Sequence, residues 1–256
     1  MMNPMKTKLL QKLALPGLAV ISLAWGLCSM TTTCQAAHLN RWLPFDEANV
    51  FLELNATDGD LGFHFKADGE GWRRLILFGP RYRLLLNVGV QGNLGQVIGL
   101  TEIFSESAEP SFDELPPEDF LALFPPGDYL FFAQTLDGPW LAGLTTLTHL
   151  LPGEVELVSP LEDEEVDPNE DLTVEWELLD DPMPPESVIE FYEVVVEKDE
   201  DDELLRVFTV HMLPSDTSIR VPAEFLEPGK DYKVEIIAQE TSGNRTAIEV
   251  PFATED

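Results

Sequence analysis

The amino-acid sequence predicts an all-β protein that is built from two β-sandwich domains. Short segments of alternating apolar and polar residues recur about every 8–12 residues, as they do in sandwiches and barrels. Turn dipeptides separate these segments, for example Asp58-Gly59, Asp68-Gly69 and Asp137-Gly138, in which glycine tolerates a positive φ. Hydrophobic residues make up 44% of the 256 residues, which suffices for two packed cores and argues against global disorder.

The first 36 residues have the features of a signal peptide. Lys6, Lys8 and Lys12 form a basic start, an apolar stretch covers residues 13–28, and small residues predict cleavage after Ala36. An uncleaved membrane anchor is the alternative, although the apolar stretch is shorter than the roughly 20 residues that span a bilayer. We therefore expect an exported protein, periplasmic or secreted, with no stable membrane insertion after cleavage.

Both cysteines, Cys28 and Cys34, precede the expected cleavage site. The mature chain would then contain no disulfide, no thiolate metal ligand and no cysteine nucleophile. An exported domain without disulfides depends on its core for stability, and domains of about 100 residues bury enough surface to provide it.

Two β-rich domains are expected after a connector at residues 37–48. The first covers residues 49–152 and includes one short helical turn within residues 115–124. The second covers residues 153–256. Pro152-Gly153 marks the boundary, because the composition shifts towards glutamate and aspartate beyond it.

The charge of the chain is strongly negative, with a formal net charge of −32. Residues 38–152 contain 16 acidic and 6 basic residues, and residues 153–256 contain 31 acidic and 6 basic residues. Such a field repels nucleic acid and disfavours anionic lipid as a partner. Solvated acidic faces that keep the protein soluble explain the composition, and adaptation to salt or cation binding is the alternative.

A sequence pattern near the C-terminus resembles the tyrosine corner of the fibronectin type III family. Pro228 and Gly229 make a tight turn just before Tyr232, and every second residue of the next segment is apolar. In that corner the tyrosine ring packs in the core while its hydroxyl bonds upstream backbone. Trp176 is similar to the core tryptophan on the family's second strand. The resemblance implies a fibronectin type III-like sandwich for residues 153–256.

A related pattern occurs earlier in the chain. Pro126-Gly127 precedes Tyr129 much as Pro228-Gly229 precedes Tyr232, although the two segments align only with gaps. This similarity predicts a second, immunoglobulin-like sandwich within residues 49–152. The arrangement as a whole resembles exported bacterial proteins that contain a fibronectin type III-like domain.

Known catalytic motifs are absent from the sequence. There is no G-x-S-x-G elbow, and the loop containing Gly89, Gly92 and Gly95 lacks the context of a phosphate cradle, so we expect a flexible connector there. Carboxylates are too numerous for any one pair to be informative. Four histidines form neither an HxH nor an HExxH pattern: His38, His64, His149 and His211. We therefore predict that the protein is not an enzyme.

Oxygen ligands are concentrated in one predicted turn. Asn55, Asp58 and Asp60 lie within six residues, and a hard cation such as calcium takes several such oxygens. The spacing is not that of an EF-hand, and a pair of hairpin turns explains the same residues. The sequence predicts no cofactor, with a calcium site at these three residues as the alternative.

Four arginines flank two apolar segments around Gly79-Pro80. They either point outwards and pair with local acids or anchor an anionic partner. Trp72 and Trp140 would stack on a sugar if they were exposed, although tryptophan is more often buried in a sandwich core. The four arginines are Arg73, Arg74, Arg81 and Arg83.

Three functions are compatible with these observations. The first is a non-catalytic binding or spacer module outside the cytoplasm, with a protein or polysaccharide partner. The second is a calcium-dependent binding or adhesion protein. The third is a polysaccharide-active or hydrolytic enzyme with an unrecognised site. Fold alone does not distinguish them, and the sequence does not predict the oligomeric state.

Overall fold

The computed structural model describes residues 42–178, 187–198 and 206–256, and its regular structure is almost entirely β. The predicted all-β class is confirmed. The expected signal peptide lies outside the described residues. The strands in the described residues are β1 (Trp42–Pro44), β2 (Glu47–Asn55), β3 (Asp60–Gly79), β4 (Arg83–Gly89), β5 (Leu100–Glu106), β6 (Gly127–Thr135), β7 (Trp140–Leu147), β8 (Val155–Ser159), β9 (Glu165–Val166), β10 (Leu172–Leu178), β11 (Ile189–Lys198), β12 (Val207–Met212), β13 (Ser218–Val221), β14 (Asp231–Glu240) and β15 (Arg245–Thr254).

One α-helix is present in the described residues. The helix α1 (Pro117–Leu123) confirms the helical turn predicted within residues 115–124. Proline in its first turn has a φ that suits a helix. Its missing N–H costs nothing there, because the first N–H groups of a helix have no partner within the helix. The buried Phe120 anchors the helix, and its ring lies 5.4 Å from that of Phe124.

The glycine-spaced loop is more regular than the sequence predicts. Leu94–Ile98 forms a short π-helical segment, which the sequence did not predict. Gly95 is buried, and a Cβ there would lie 2.0 Å from the carbonyl oxygen of Val90. Glycine therefore allows the chain to fold back closely on itself rather than leaving it loose.

The chain divides into two compact units whose residues alternate along the sequence. Unit 1 contains the described residues up to Ala48 together with Ala67–Ile103 and Leu130–Thr145. Unit 2 contains Asn49–Lys66, Phe104–Tyr129 and the chain from Thr146 onward. The range 153–256 therefore lies wholly in unit 2, whereas the range 49–152 is shared between the units. The two predicted domain ranges stay a prediction about which segments fold independently.

The C-terminal strands of unit 2 form a β-sandwich. One sheet has the strand order β13-β10-β8, and the other contains the order β15-β14-β11-β12. All neighbouring pairs within these two orders are antiparallel. Alternation places the core, because Leu172, Val174 and Trp176 of β10 are buried while the residues between them are exposed.

A tyrosine corner closes the sandwich, as the fibronectin type III resemblance implies. Tyr232 is fully buried at the start of β14, and its hydroxyl oxygen accepts a 2.9 Å hydrogen bond from the backbone N–H of Glu227. Its ring stacks on Phe252 with 5.4 Å between the centroids. Gly229 has a φ of 62°, which a side chain adopts only with strain. The C-terminal residues thus form a fibronectin type III-like sandwich.

Tyr129 repeats part of this geometry. It is fully buried, and its hydroxyl donates a 3.1 Å hydrogen bond to the carbonyl oxygen of Pro125, four residues upstream. Its ring lies 6.0 Å from that of Phe63. The sequence echo between Tyr129 and Tyr232 therefore reflects a shared local arrangement, in which a proline- and glycine-containing turn precedes a buried tyrosine.

The strand β2 extends the second sheet of unit 2 from far away in the sequence. Its last three residues pair in parallel with residues 245–247 of β15. Asn244 is fully buried beside this ladder, where its Oδ1 accepts a hydrogen bond from the N–H of Leu52 at 2.9 Å. Its Nδ2 donates to the carbonyl oxygens of Thr148 and Leu150 at 3.1 and 3.0 Å. One buried amide therefore joins three segments of unit 2.

Unit 1 is built on an antiparallel arrangement around the second half of β3. Residues 74–79 pair with β4, and residues 72–78 pair with β6. The short strand β1 adds in parallel to β7. Trp72 and Leu75 are separated by a β-bulge, and alternation resumes after it. The side chains that fill the core of this unit are Trp72, Leu75, Leu77, Phe131, Ala133 and Leu141.

Candidate functional site

The three residues of the predicted calcium site lie at the turn between β2 and β3. The Oδ1 of Asn55 accepts hydrogen bonds from the N–H groups of Thr57 and Asp58 at 3.0 and 3.1 Å, and its Nδ2 donates to Asp58 Oδ2. These atoms therefore already have a structural role in the turn. Burial and the neighbouring Asp58 raise the pKa of Asp60. The calcium site stays a prediction.

His64 is buried on β3, and its environment favours the neutral ring. Its imidazole stacks on Phe51 at 4.8 Å, and burial followed by repulsion from Arg245 lowers its pKa to about 4. Burial together with neighbouring carboxylates raises the pKa of Glu109 to about 7, and its Oε1 lies 3.5 Å from Nε2 of His64. Because the imidazole is neutral at pH 7, this contact is not an ion pair. His149 lies elsewhere and donates to the carbonyl oxygen of Phe124.

Acidic side chains crowd together on the neighbouring strands β2, β15, β14 and β11 of unit 2. Lys233 forms ion pairs with Glu197 and Glu249 at 3.0 and 2.9 Å. Glu235 lies directly opposite Glu249 in the ladder. Burial, followed by repulsion from Glu249 and Glu53, raises the pKa of Glu235 to about 7 despite the opposing charge of Lys233. Three of these four carboxylates are in ion pairs, since Glu197 and Glu249 contact Lys233 and Glu53 lies 3.6 Å from the guanidinium of Arg245.

A metal centre has no support from side-chain clustering in the described residues. No group of three or more histidine, cysteine, aspartate or glutamate side chains is placed there to hold an ion. Within the same residues no helix is long and apolar enough to cross a membrane.

The most unusual surface lies in unit 1, on residues 71–90, which we call the basic hairpin. It comprises the end of β3, a tight turn and β4. Its four arginines are all exposed: Arg73, Arg74, Arg81 and Arg83. The Nε of Arg74 donates a hydrogen bond to Asn87 Oδ1 across the ladder. Arg83 also interacts with another group of the protein. In the described residues β4 pairs only with β3, so its other edge is open.

The turn of the basic hairpin is strained. Arg81 and Tyr82 have φ values of 59° and 58°, and the N–H of Arg83 donates to the carbonyl oxygen of Pro80. Two successive positive φ values define a type I′ turn, for which asparagine and glycine are the usual residues. Arginine and tyrosine each cost about 1–2 kcal/mol in this conformation. Strain of this kind concentrates at functional sites.

Exposed apolar side chains accompany the arginines. At the turn, Tyr82 is 73% exposed and Leu84 53% exposed. Val97 and Ile98 are 71% and 70% exposed as well, but a Cβ at Gly71 would lie 3.1 Å from the carbonyl oxygen of Ile98, so they lie at the other end of the hairpin from the turn. Beside Arg81 and Arg83, an exposed tyrosine and an exposed leucine are residue types that recognition surfaces use.

The local charge of the sequence indicates this surface, although no known motif does. Residues 71–101 contain four arginines and no aspartate or glutamate, in a chain whose formal net charge is −32. Trp72, predicted as a sugar-stacking candidate if exposed, is fully buried, and its Nε1 donates to the carbonyl oxygen of Thr101 at 3.4 Å. Trp140 is half-buried, with its ring 6.2 Å from that of Trp42.

Comparisons with known proteins agree only loosely with this fold. No family model and no curated protein matches the chain. The fibronectin(III)-like modules of Clostridium thermocellum CbhA align over 82% of this chain and 93% of theirs, with 10% identity and a TM-score of 0.34. The chicken CNTN1 FN1-FN3 domains align over 84% of this chain and 65% of theirs, with 14% identity and a TM-score of 0.35. Because both likenesses are weak, the fold assignment rests on the strand order, Trp176 and the corner at Tyr232.

Proposed function

We propose that the protein is a non-catalytic binding module that acts outside the cytoplasm and binds its partner through the basic hairpin. The observation that supports this most is the turn at Arg81 and Tyr82. A hairpin needs only a relaxed two-residue turn, and asparagine with glycine would supply one. The chain instead presents a cation and an aromatic ring at the tip, in a conformation that both residues adopt with strain. Because strained residues of this kind concentrate at functional sites, the strain supports a binding role for the side chains of Arg81 and Tyr82.

The distribution of polar groups supports binding over catalysis. Glu197 of β11 and Glu249 of β15 form ion pairs with Lys233, and the buried Asn244 joins three segments of unit 2. The basic hairpin offers arginines, tyrosine and aliphatic side chains, which are suited to recognition. None of these is a nucleophile paired with a base.

Site-specific photo-crosslinking tests the proposal. A photoreactive amino acid would replace Tyr82 in the full chain, and a matched control would replace Leu213, which is 65% exposed but lies after β12 in unit 2. In cells that export the protein, we expect position 82 to crosslink to its partner, whether protein or lipid, and position 213 to give no such product. Equal crosslinking from the two positions would contradict the proposed binding surface.

A further inference from the structure

We infer that the basic hairpin binds the surface of an anionic lipid bilayer. This inference rests on the proposed function and names the chemistry of the partner. It also qualifies the expectation from net charge, which disfavours anionic lipid for the chain as a whole. The basic hairpin is a local exception, because residues 71–101 contain only positive charges.

The arginines supply the recognition of lipid phosphate. A guanidinium group forms paired hydrogen bonds with phosphate oxygens, and arginine keeps its charge at any physiological pH. Arg73 and Arg81 are both exposed, and Arg81 sits at the tip of the turn. Charges farther away than about 8–10 Å are largely screened at physiological salt, which weakens the repulsion of the bilayer by distant carboxylates. An anionic leaflet attracts basic segments in this way.

The apolar side chains select a bilayer over other anionic partners. Leu84 is aliphatic, lies beside the turn and is 53% exposed, and it gains free energy where it leaves water for an apolar environment. Tyrosine favours the boundary between the hydrocarbon and the headgroups. Arg81 and Arg83, on either side of Tyr82, would bind phosphate and so hold the ring at that boundary. An anionic polysaccharide offers the charge without the hydrocarbon. A bilayer surface offers both, with phosphate above and acyl chains below.

The shape of the hairpin supports the same partner. Arg81 and Tyr82 are the central residues of a tight turn, so their side chains project from a convex tip. A rigid protein partner would need a matching pocket that combines apolar walls with an acidic rim. A fluid bilayer accommodates a convex tip without a preformed pocket.

Vesicle flotation with the full chain tests the inference. Vesicles of phosphatidylcholine alone would be compared with vesicles that contain about one third phosphatidylglycerol. Arg81→Glu would be compared with Arg220→Glu, which makes the same charge change at an exposed position of β13. Leu84→Ser would be compared with Leu213→Ser. Thermal unfolding of each variant would establish that it is folded.

We expect binding to the anionic vesicles only, weaker at high salt. Arg81→Glu should weaken it at least about fivefold, because each charge near an anionic surface contributes about that factor. Leu84→Ser should weaken it as well, and the two control variants should bind as the unchanged protein does. Absence of anionic-vesicle binding, or equal losses in Arg81→Glu and Arg220→Glu, would overturn the inference. If Arg81 proved necessary for binding heparin but not vesicles, the lipid assignment would fail while the proposed binding surface would survive.

Discussion

Neutralising Glu235 should stabilise the protein at alkaline pH and leave it unchanged at acid pH. Glu235 is half-buried on β14, opposite Glu249, and its pKa is raised from 4.5 to about 7. A carboxyl group with a raised folded-state pKa contributes stability below its unfolded pKa and loses that contribution as the pH rises through the folded pKa. The relevant window is therefore between about pH 4.5 and pH 7.

The magnitude follows from the size of the pKa change. Each unit of pKa change corresponds to about 1.4 kcal/mol. A rise in the pKa of Glu235 from 4.5 to about 7 therefore limits the destabilisation by its ionisation to about 3 kcal/mol. Solvent at the partly exposed carboxyl screens the repulsion, and we expect about 1–2 kcal/mol. Glu235→Gln keeps the shape of the side chain and cannot ionise, so it should recover this amount at pH 8.

Urea unfolding at pH 5 and pH 8 measures the effect. Glu175→Gln is the matched control, because Glu175 is exposed on β10 and its loss changes the net charge of the chain equally. The gain of Glu235→Gln should be clearly larger at pH 8 than at pH 5 and should exceed that of the control. A gain that is the same at both pH values, or equal to that of Glu175→Gln, would refute the reasoning about burial and crowding.

Three further predictions concern the sandwich and the cation site. Tyr232→Phe should destabilise the protein by about 1–2 kcal/mol in the same assay, because the N–H of Glu227 loses its buried acceptor; no loss would contradict the tyrosine corner. Trp176→Ala should cost about 3–5 kcal/mol through a cavity beside Tyr192, whose ring is 5.5 Å away, and an unchanged melting temperature would contradict a core position. If the predicted calcium site exists, calcium at constant ionic strength should raise the melting temperature saturably. Asp58→Asn should abolish that rise. If magnesium raised the melting temperature in the same way as calcium does, a specific calcium site would be contradicted and the acidic residues would be explained as a solvated surface.

The parts of the fold that could be predicted from the sequence depend on short-range patterns. Trp176 lies in a segment of strict alternation, and Tyr232 follows a proline-glycine turn, so each position is determined within a few residues. The parallel pairing of β2 with β15 could not be predicted. The hydrogen bond from Leu52 to Asn244 spans 192 residues, and a buried asparagine has no local sequence signature.

The candidate site was only partly predictable for a different reason. The arginines were recognisable as a group, but turn rules assign positive φ values to glycine and asparagine, so nothing pointed to Arg81 and Tyr82. Their strain depends on where the two strands end in register, which only the structure gives. The sequence alone shows that residues 71–101 contain no aspartate or glutamate. This absence indicates a binding surface only together with the exposure of Tyr82 and Leu84, which the structure provides.

The most direct test of the binding surface is the double substitution Arg81→Asn with Tyr82→Gly, measured for stability and for crosslinking or vesicle binding. Asparagine and glycine adopt the type I′ conformation readily, so the variant should gain about 1–3 kcal/mol in free energy of unfolding, which is the strain of two residues less the unfolded-state freedom that glycine adds. A photoreactive residue at Leu84, beside the turn, would report partner binding in both backgrounds. If the strained side chains are retained for recognition, the more stable variant should lose most of its binding. A variant that gains stability and binds its partner undiminished would contradict the account.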